Sequence, residues 1–139
     1  MRESNTVTEG TRISIVDDDT SMREAIKTLI GSMGLSVDEF SSAEDFLRSP
    51  ESQVDCLILD MKMPGLSGLE LQSRLVADNK HVPIVFITAY YTEEDRRKAM
   101  EAGAVAFLSK PFTEQELLNA ISTSLTTDKK FADGSGDER

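Results

Sequence analysis

Cysteine and long apolar runs are scarce in this chain of 139 residues. Cys56 is the single cysteine, so no disulfide can form within the chain, and its place inside an apolar run predicts a small buried core residue. No apolar stretch approaches the ~20 residues that a helix needs to cross a bilayer. Residues 1–11 are polar and lack the hydrophobic core of a signal peptide. We therefore expect a protein of the reducing cytoplasm.

Basic residues are also fewer than acidic ones. The chain carries 15 basic and 25 acidic residues, which gives a net charge of -10. Affinity for DNA comes largely from neutralising phosphates, and anionic membrane surfaces attract basic segments. The charge balance therefore disfavours direct binding to nucleic acid or to membranes.

Strand-like and helix-like patterns alternate along the whole sequence. The apolar runs that predict strands lie at 13–16, 35–40, 56–59, 83–87 and 105–109. Strands that alternate with helices favour a parallel sheet covered by helices on both faces, which is an α/β fold. We expect one domain at residues 12–126, an extended or disordered segment at 1–11, and a polar tail or linker at 127–139.

Most of the predicted helices have an apolar face and a start signal. Apolar side chains recur at helical spacing in the first, third and fifth: Met22, Ile26, Leu29, Ile30 and Met33; Leu69, Leu71, Leu75 and Val76; and Leu117, Ile121 and Leu125. Ser67 with Glu70, and Thr113 with Glu116, have the spacing of capping boxes. Ser42 is the predicted cap of a short second helix that ends near residue 48.

The fourth predicted helix, at residues 92–102, has very little to bury. Its only apolar residues are Ala99, Met100 and Ala102. Elements that move are drawn from such weakly packed segments. Two interpretations stay open, a mobile element or an ordinary solvated surface helix.

Four of the strand-like runs end on polar residues with chemical capability. The first runs into Asp17, Asp18 and Asp19, the third into Asp60, the fourth into Thr88 and the fifth into Lys110. The carboxyl ends of parallel strands share one edge of a sheet, and ligands bind there. Carboxylates, a hydroxyl and an ammonium gathered at this edge suit a divalent cation together with a phosphoryl group. Asp19 is better explained as a helix cap.

The chemistry of these residue types suggests a role for each. Close carboxylates repel one another unless a cation lies among them, and Mg²⁺ prefers oxygen ligands, so Asp17, Asp18 and Asp60 are the candidate metal ligands. Asp60 is also the candidate nucleophile toward a phosphoryl group. Lys110 would neutralise charge on the transferring oxygens, and a cis peptide to the following proline would aim it over the site. Thr88 is a candidate donor to a phosphoryl oxygen, although a strand-end threonine by itself more commonly bonds to the backbone.

At these residues the chain resembles the receiver domain of bacterial two-component response regulators, and it looks most similar to receivers of the FixJ type. The resemblance covers residues 12–125 and rests on four segments: Val16-Asp17-Asp18, Leu59-Asp60-Met61-Lys62-Met63-Pro64-Gly65, Ile87-Thr88-Ala89 and Ser109-Lys110-Pro111-Phe112. It implies a flavodoxin-like, doubly wound sheet of five parallel strands in the order 2-1-3-4-5, with five helices.

The resemblance also implies a phosphorylation site. Asp60 would accept the phosphoryl group from a sensor histidine kinase. Asp17, Asp18, Asp60 and the main-chain carbonyl of Lys62 would bind Mg²⁺, or Mn²⁺ in its place. A domain of this kind is not an enzyme in the usual sense, because it catalyses only its own Mg-dependent phosphorylation and dephosphorylation.

In this family a switch reads the phosphoryl group. Thr88 and Lys110 would contact it, Phe107 would turn inward behind Thr88, and the surface from the fourth to the fifth helix would be remodelled. Lys62 and Tyr90, two residues past Asp60 and Thr88, would tune hydrolysis. Our hypothesis is that the Tyr90 ring hinders the attacking water while Lys62 adds a charge contact.

The implied partners are proteins. They are the kinase, and either a downstream protein target or a DNA-binding output domain in a longer parent chain. Phosphorylation could also promote a homodimer. This segment itself is expected to bind neither nucleic acid nor membrane.

Three alternatives share part of the pattern. A pseudo-receiver that only binds proteins lacks part of the acid and lysine set, which is complete here. A haloacid-dehalogenase-type phosphatase normally has a second aspartate where this chain has Lys62. A flavodoxin must hold a flavin phosphate, which the acidic residues after the first strand would repel. His81, the single histidine, is expected in an exposed loop rather than in a phosphotransfer role.

Overall fold

The computed structural model describes residues 11–49 and 53–134, with side chains as far as residue 126. Within these residues, five strands alternate with five helices. In chain order the elements are β1 (Ile13–Val16), α1 (Thr20–Gly31), β2 (Val37–Phe40), α2 (Ala43–Arg48), β3 (Cys56–Asp60), α3 (Gly68–Ala77), β4 (Ile84–Thr88), α4 (Glu93–Glu101), β5 (Ala106–Ser109) and α5 (Glu114–Gly134). No helix within the described residues is long and apolar enough to cross a membrane.

All five strands are parallel and form one sheet in the order β2-β1-β3-β4-β5. This order confirms the fold predicted from the sequence. The central strand, β3, pairs with β1 on one side and β4 on the other, so that Val16 is opposite Leu59 and Asp60 is opposite Ile87. The carboxyl ends of β1, β3 and β4 therefore meet at the same edge, as parallel pairing requires.

Two apolar clusters cover the two faces of the sheet. Side chains alternate between the faces along each strand, so that in β3 Leu57 and Leu59 join one cluster while Cys56 and Ile58 join the other. Helices α2, α3 and α4 pack on the first face, and α1 and α5 pack on the second. Cys56 is fully buried, as predicted.

The predicted start signals are confirmed by hydrogen bonds at the helix N-termini. Ser67 accepts from the Glu70 amide while the Glu70 carboxylate accepts from the Ser67 amide, and Thr113 and Glu116 form the same reciprocal pair. Ser42, Thr92 and Asp19 cap α2, α4 and α1 in turn. Asp19 is therefore the helix cap that the sequence indicated, outside the acid cluster.

Several sequence predictions were wrong in detail. Strand β2 begins at Val37 instead of residue 35. Met33 lies beyond the end of α1, because the Ser32 amide and hydroxyl bond to carbonyls of the last helical turn. Gly34, with φ of 87°, then turns the chain out of the helical conformation. Val76 is 59% exposed, since it lies at the edge of the buried face of α3.

The C-terminal helix is longer than predicted. Helix α5 continues to Gly134, past the expected boundary at residue 126. The segment 127–133 contains neither proline nor glycine, so nothing in it stops a helix that has already formed. The division into a domain and a tail stays a prediction. The segment 1–11 lies almost entirely outside the described residues, as do 135–139 at the other end.

Helix α4 has few points of attachment to the rest of the fold. Within Glu93–Glu101, all of which the structure describes, Ala99 is the only fully buried residue. Its carbonyl accepts a hydrogen bond of 3.1 Å from the Gln72 side chain, which is buried on α3. The charged residues of α4 pair mainly along the helix itself, as in Arg96–Glu93 and Lys98–Glu94. Exposed pairs of this kind contribute little to stability.

Candidate functional site

Three carboxylates meet at the edge of the sheet where β1 and β3 end. One carboxylate oxygen from each of Asp17, Asp18 and Asp60 lies within 4.8 Å of the others. Asp17 is fully buried and Asp60 nearly so, while Asp18 is exposed. The three carboxylates predicted as metal ligands therefore lie together, with one side of the cluster open to solvent, while the part of the Lys62 carbonyl stays a prediction.

The predicted lysine also reaches this cluster. The Lys110 Nζ atom lies 3.3 Å from Asp17 Oδ2 and 3.6 Å from Asp60 Oδ1. The Lys110 amide donates to the Thr88 carbonyl at 2.7 Å, which joins the ends of β4 and β5. The peptide between Lys110 and Pro111 is cis. The lysine is thus held over the acids and is not an ordinary surface residue.

The cluster leaves Asp60 reluctant to ionise. Burial first, and then the charge of Asp17, raise the pKa of Asp60 from its ordinary value of 3.8 to about 7, although Lys110 acts in the opposite direction. One ammonium faces three carboxylates, so the site has an excess of negative charge. Carboxylate oxygens around an open face are the ligand type that Mg²⁺ accepts. The residues present therefore fit a divalent cation.

The Thr88 hydroxyl is turned toward the loop that follows β4. Thr88 is fully buried, and its Oγ1 accepts from the Tyr90 amide at 3.1 Å and donates to the Tyr90 carbonyl at 3.3 Å. A contact with a phosphoryl group on Asp60 would need these bonds to be exchanged. In this structure the Thr88 hydroxyl therefore bonds to the backbone, as a strand-end threonine commonly does.

Phe107 is half-buried between two other aromatic rings. Its centroid lies 6.1 Å from that of Phe86 in the core and 5.6 Å from that of Tyr91, in an edge-to-face arrangement. The Tyr91 hydroxyl donates to Glu93 at the start of α4. Phe107 therefore links the core, the loop after β4 and α4.

The two residues expected to tune hydrolysis are not part of the acid cluster's hydrogen bonding. Tyr90 is 71% exposed. The Lys62 ammonium lies 3.9 Å from the Asp95 carboxylate in the first turn of α4. Their tuning role stays a prediction.

Two glycines let the loop between β3 and α3 fit closely against the site. A Cβ on Gly68 would lie 2.5 Å from the Asp60 carbonyl oxygen and 3.1 Å from the Phe86 ring. Gly65 has φ of 77°, and a Cβ there would lie 2.6 Å from a Glu44 carboxylate oxygen. That glutamate accepts from the Leu66 amide at 3.0 Å, which lowers its pKa.

Two residues near the site were not predicted from the sequence: Glu44, and Arg23, whose guanidinium donates to the Asp17 carbonyl. Both lie one turn or less inside a helix that follows a strand end. Their residue types gave no signal, because a charged residue on a solvated helix face looks the same in the sequence.

The fold and the acid cluster together define a receiver. The family model described as the response regulator receiver domain matches residues 13–122. The chain therefore belongs to the response regulator receiver domain family, which acts in two-component systems. Membership in this family separates the chain from flavodoxins and from haloacid-dehalogenase-type phosphatases.

Curated relatives agree with this assignment. Nodulation protein W of Bradyrhizobium diazoefficiens is 45% identical over 119 residues, which is 85% of this chain and 52% of the relative. Response regulator protein TodT of Pseudomonas putida is 46% identical over 114 residues, which is 81% of this chain and 50% of the relative. The chain thus spans about half the length of these relatives.

Solved structures are similar as well. A crystal structure of FixJ-N has a TM-score of 0.78 at 31% identity, covering 86% of this chain and 96% of that one. A low-resolution structure of response regulator StyR has a TM-score of 0.77 at 45% identity, covering 88% of this chain and 62% of that one. The predicted likeness to FixJ-type receivers is confirmed.

Proposed function

We propose that this receiver accepts a phosphoryl group from a sensor histidine kinase onto Asp60, with Mg²⁺ as its cofactor. The observation that carries the proposal is the buried Asp60 carboxylate, gathered with Asp17 and Asp18 within 4.8 Å and with the Lys110 ammonium 3.6 Å away. Both the nucleophile and the groups that balance its charge are present. This completeness favours a phosphorylatable receiver over a pseudo-receiver that serves only as a protein-binding module.

The transfer needs no redox partner and no covalent group other than the carboxylate. An Asp60 oxygen forms a bond to phosphorus while the bond from phosphorus to the histidine nitrogen of the kinase breaks, and the imidazole keeps the electron pair. Loss of the signal is a separate reaction, in which water attacks the same phosphorus, the bond from phosphorus to the Asp60 oxygen breaks, and inorganic phosphate is released. Such catalysis is mainly positioning and electrostatic stabilisation.

A small set of residues would neutralise the negative charge of the phosphoryl oxygens during the transfer. Asp17, Asp18, Asp60 and the main-chain carbonyl of Lys62 would hold the Mg²⁺ ion, which supplies neutralisation of the phosphoryl oxygens when it is bound. Lys110, already 3.3 Å from Asp17, would exchange part of its contact with the acids for a phosphoryl oxygen. A phosphoryl group brings nearly two negative charges and three acceptors, so this exchange is favourable.

The signal would leave through the surface formed by α4, β5 and α5. The Thr88 hydroxyl would give up its bonds to Tyr90 and donate to the phosphoryl group, and Phe107 would move into the space behind it. Because Phe107 contacts Tyr91, and α4 is anchored mainly through Ala99, this motion would reposition α4. The rearrangement biases a two-state element by a local charge change.

The output is proposed to be transcriptional, in a longer parent chain. Two of the relatives are named as transcriptional regulatory proteins, FixJ and TdiR, and this chain covers 56% and 54% of their lengths. A DNA-binding output domain or a separate protein target would receive the signal. We propose a cytoplasmic location for the receiver and a homodimer that forms on phosphorylation.

The direct test of phosphorylation uses a small donor and no kinase. The chain is incubated with acetyl phosphate and Mg²⁺, and its intact mass is measured. We expect one phosphoryl adduct, which does not form when EDTA replaces Mg²⁺ or when Asp60 is changed to asparagine (Asp60→Asn). Asp38→Asn, an exposed carboxylate on β2, is the matched control and should label like wild type. Absence of an adduct on wild type would favour the pseudo-receiver.

The tuning hypothesis for Tyr90 has a separate test. Thr88 is bonded to the backbone of Tyr90 and not to its ring, so Tyr90→Ala removes the ring without removing those bonds. We expect faster loss of the phosphoryl group, because water reaches phosphorus more easily. An unchanged or slower rate in the variant would contradict the steric hypothesis.

A further inference from the structure

Arg23 connects the acid cluster to helix α1 and strand β2. Its Nη1 atom donates to the main-chain carbonyl of Asp17 at 2.7 Å, and its Nε atom lies 3.5 Å from Glu39 Oε1. The Arg23 side chain is only 15% exposed. A guanidinium with two nitrogens engaged in different directions is held in one orientation, because its donors are fixed in a plane.

The partner of Arg23 is itself fixed. The second oxygen of Glu39 lies 2.9 Å from the Lys27 ammonium, and this contact, with that of Arg23, lowers the pKa of Glu39. Glu39 thus stays ionised between two cations. The positive charge of Arg23 is balanced by Glu39, so its distinct contribution to the acid cluster is the directed hydrogen bond.

That bond acts on the peptide that joins the two acids. The Asp17 carbonyl and the Asp18 amide belong to one planar unit, so fixing the carbonyl also fixes the direction in which Asp18 leaves β1. The other polar groups of Asp17 are bonded too, since its amide donates to the Phe40 carbonyl and its carboxylate accepts from the Asp19 amide. With the bond from Arg23, which lies on α1, the amide, the carboxylate and the carbonyl of Asp17 all have hydrogen-bond partners.

We propose that Arg23, oriented by Glu39, is a positioning residue for the Asp17–Asp18 pair and thereby sets the affinity of the site for Mg²⁺. The proposal rests on the proposed function of the cluster and assigns to it residues that lie outside the metal ligands. Partners that orient metal ligands typically change metal affinity by ~10–100-fold when they are removed. Arg23 would therefore act on the concentration of Mg²⁺ that the receiver needs, more than on the transfer step.

The test compares two variants that make the same change in charge. Arg23→Gln and Lys27→Gln each remove one cation and one partner of Glu39, but only the first removes the bond to the Asp17 carbonyl. The dissociation constant for Mg²⁺ is measured by following backbone amide signals during titration. We expect Arg23→Gln to weaken binding by ~10-fold or more, and Lys27→Gln to stay within about twofold of wild type, as for an exposed ion pair.

A second readout needs no metal. In EDTA the NMR signal of the Asp18 amide nitrogen, which shares the peptide with the Asp17 carbonyl, should move upfield in Arg23→Gln and not in Lys27→Gln.

At saturating Mg²⁺ the rate at which acetyl phosphate labels Arg23→Gln should return to within about twofold of wild type, because the variant has lost affinity for Mg²⁺ and not the chemistry of transfer. A purely structural role of Arg23 would leave the labelling rate of Arg23→Gln low at saturating Mg²⁺.

The outcomes separate this inference from the proposed function. Wild-type affinity for Mg²⁺ in Arg23→Gln would overturn the positioning role while leaving the function of the cluster intact. Wild-type protein that binds no Mg²⁺ would contradict the proposed function, and with it this role. If Arg23→Gln does not fold, Glu39→Gln is the variant that tests the proposal, since it keeps Arg23 and removes the carboxylate that orients its guanidinium. Glu39→Gln is expected to weaken binding several-fold, and wild-type affinity there would overturn the proposal.

Discussion

Replacing Asp60 with asparagine should make the metal-free protein more stable. Asp60 is buried beside Asp17, and its pKa is about 7 in the folded chain against an ordinary value of 3.8. The folded protein therefore holds this proton to a higher pH than the unfolded chain does. The stability that the proton provides is fully present below about pH 4 and is lost as the pH rises through about 7.

The size of the effect follows from that difference in pKa. At about 1.4 kcal/mol for each pH unit, the ionised Asp60 costs on the order of 4 kcal/mol above pH 7. Asparagine keeps the shape and removes the charge, but Lys110 loses one partner, which offsets part of the gain. We expect Asp60→Asn to raise the free energy of unfolding by about 2–4 kcal/mol at pH 8 in EDTA.

Urea denaturation at several pH values measures this quantity. Between pH 4 and pH 7 the wild type should lose stability relative to Asp60→Asn, and Mg²⁺ should restore the wild type far more than the variant, since a ligand stabilises only the state that binds it. Asp38→Asn, on the exposed side of β2, controls for a general loss of negative charge. An Asp60→Asn protein that is no more stable than wild type at pH 8 would refute the reasoning.

Three further predictions concern the surroundings of the site. Gly68→Ala should lower the free energy of unfolding by about 1–3 kcal/mol in urea denaturation, since its Cβ would lie 2.5 Å from the Asp60 carbonyl; unchanged stability would contradict this contact. Gln72→Leu should speed hydrogen exchange in α4 and not in α5, because the bond to Ala99 is lost. Burial raises the pKa of Cys56 to about 12, so native protein at pH 8 should resist alkylation that urea-unfolded protein undergoes.

Much of the site could be predicted because it lies where strands end. The position of Asp60 after four apolar residues, and of Thr88 after another apolar run, needs only the period of a buried strand and the geometry of a parallel sheet. The same logic placed Asp17 and Lys110 at the shared edge. Their chemistry then limited the ligands to a cation and an anionic group.

Other features depend on packing that the sequence does not encode locally. Val76 has the residue type and spacing of a core position, yet the buried face of α3 includes Gln72 instead, because α4 offers it the carbonyl of Ala99. Arg23 looks like a solvated helix residue until β2 brings Glu39 beside it. The Thr88 hydroxyl could bond either way, and only the path of the loop after β4 decides it.

Mapping the modified residue tests most directly whether Asp60 carries the phosphoryl group. After incubation with acetyl phosphate and Mg²⁺, the protein is treated with borohydride, which reduces an acyl phosphate to the alcohol and leaves free carboxylates unchanged. Peptide mass spectrometry then locates the reduced residue. We expect reduction at Asp60. Reduction at Asp17 or Asp18, or at no residue, would contradict it.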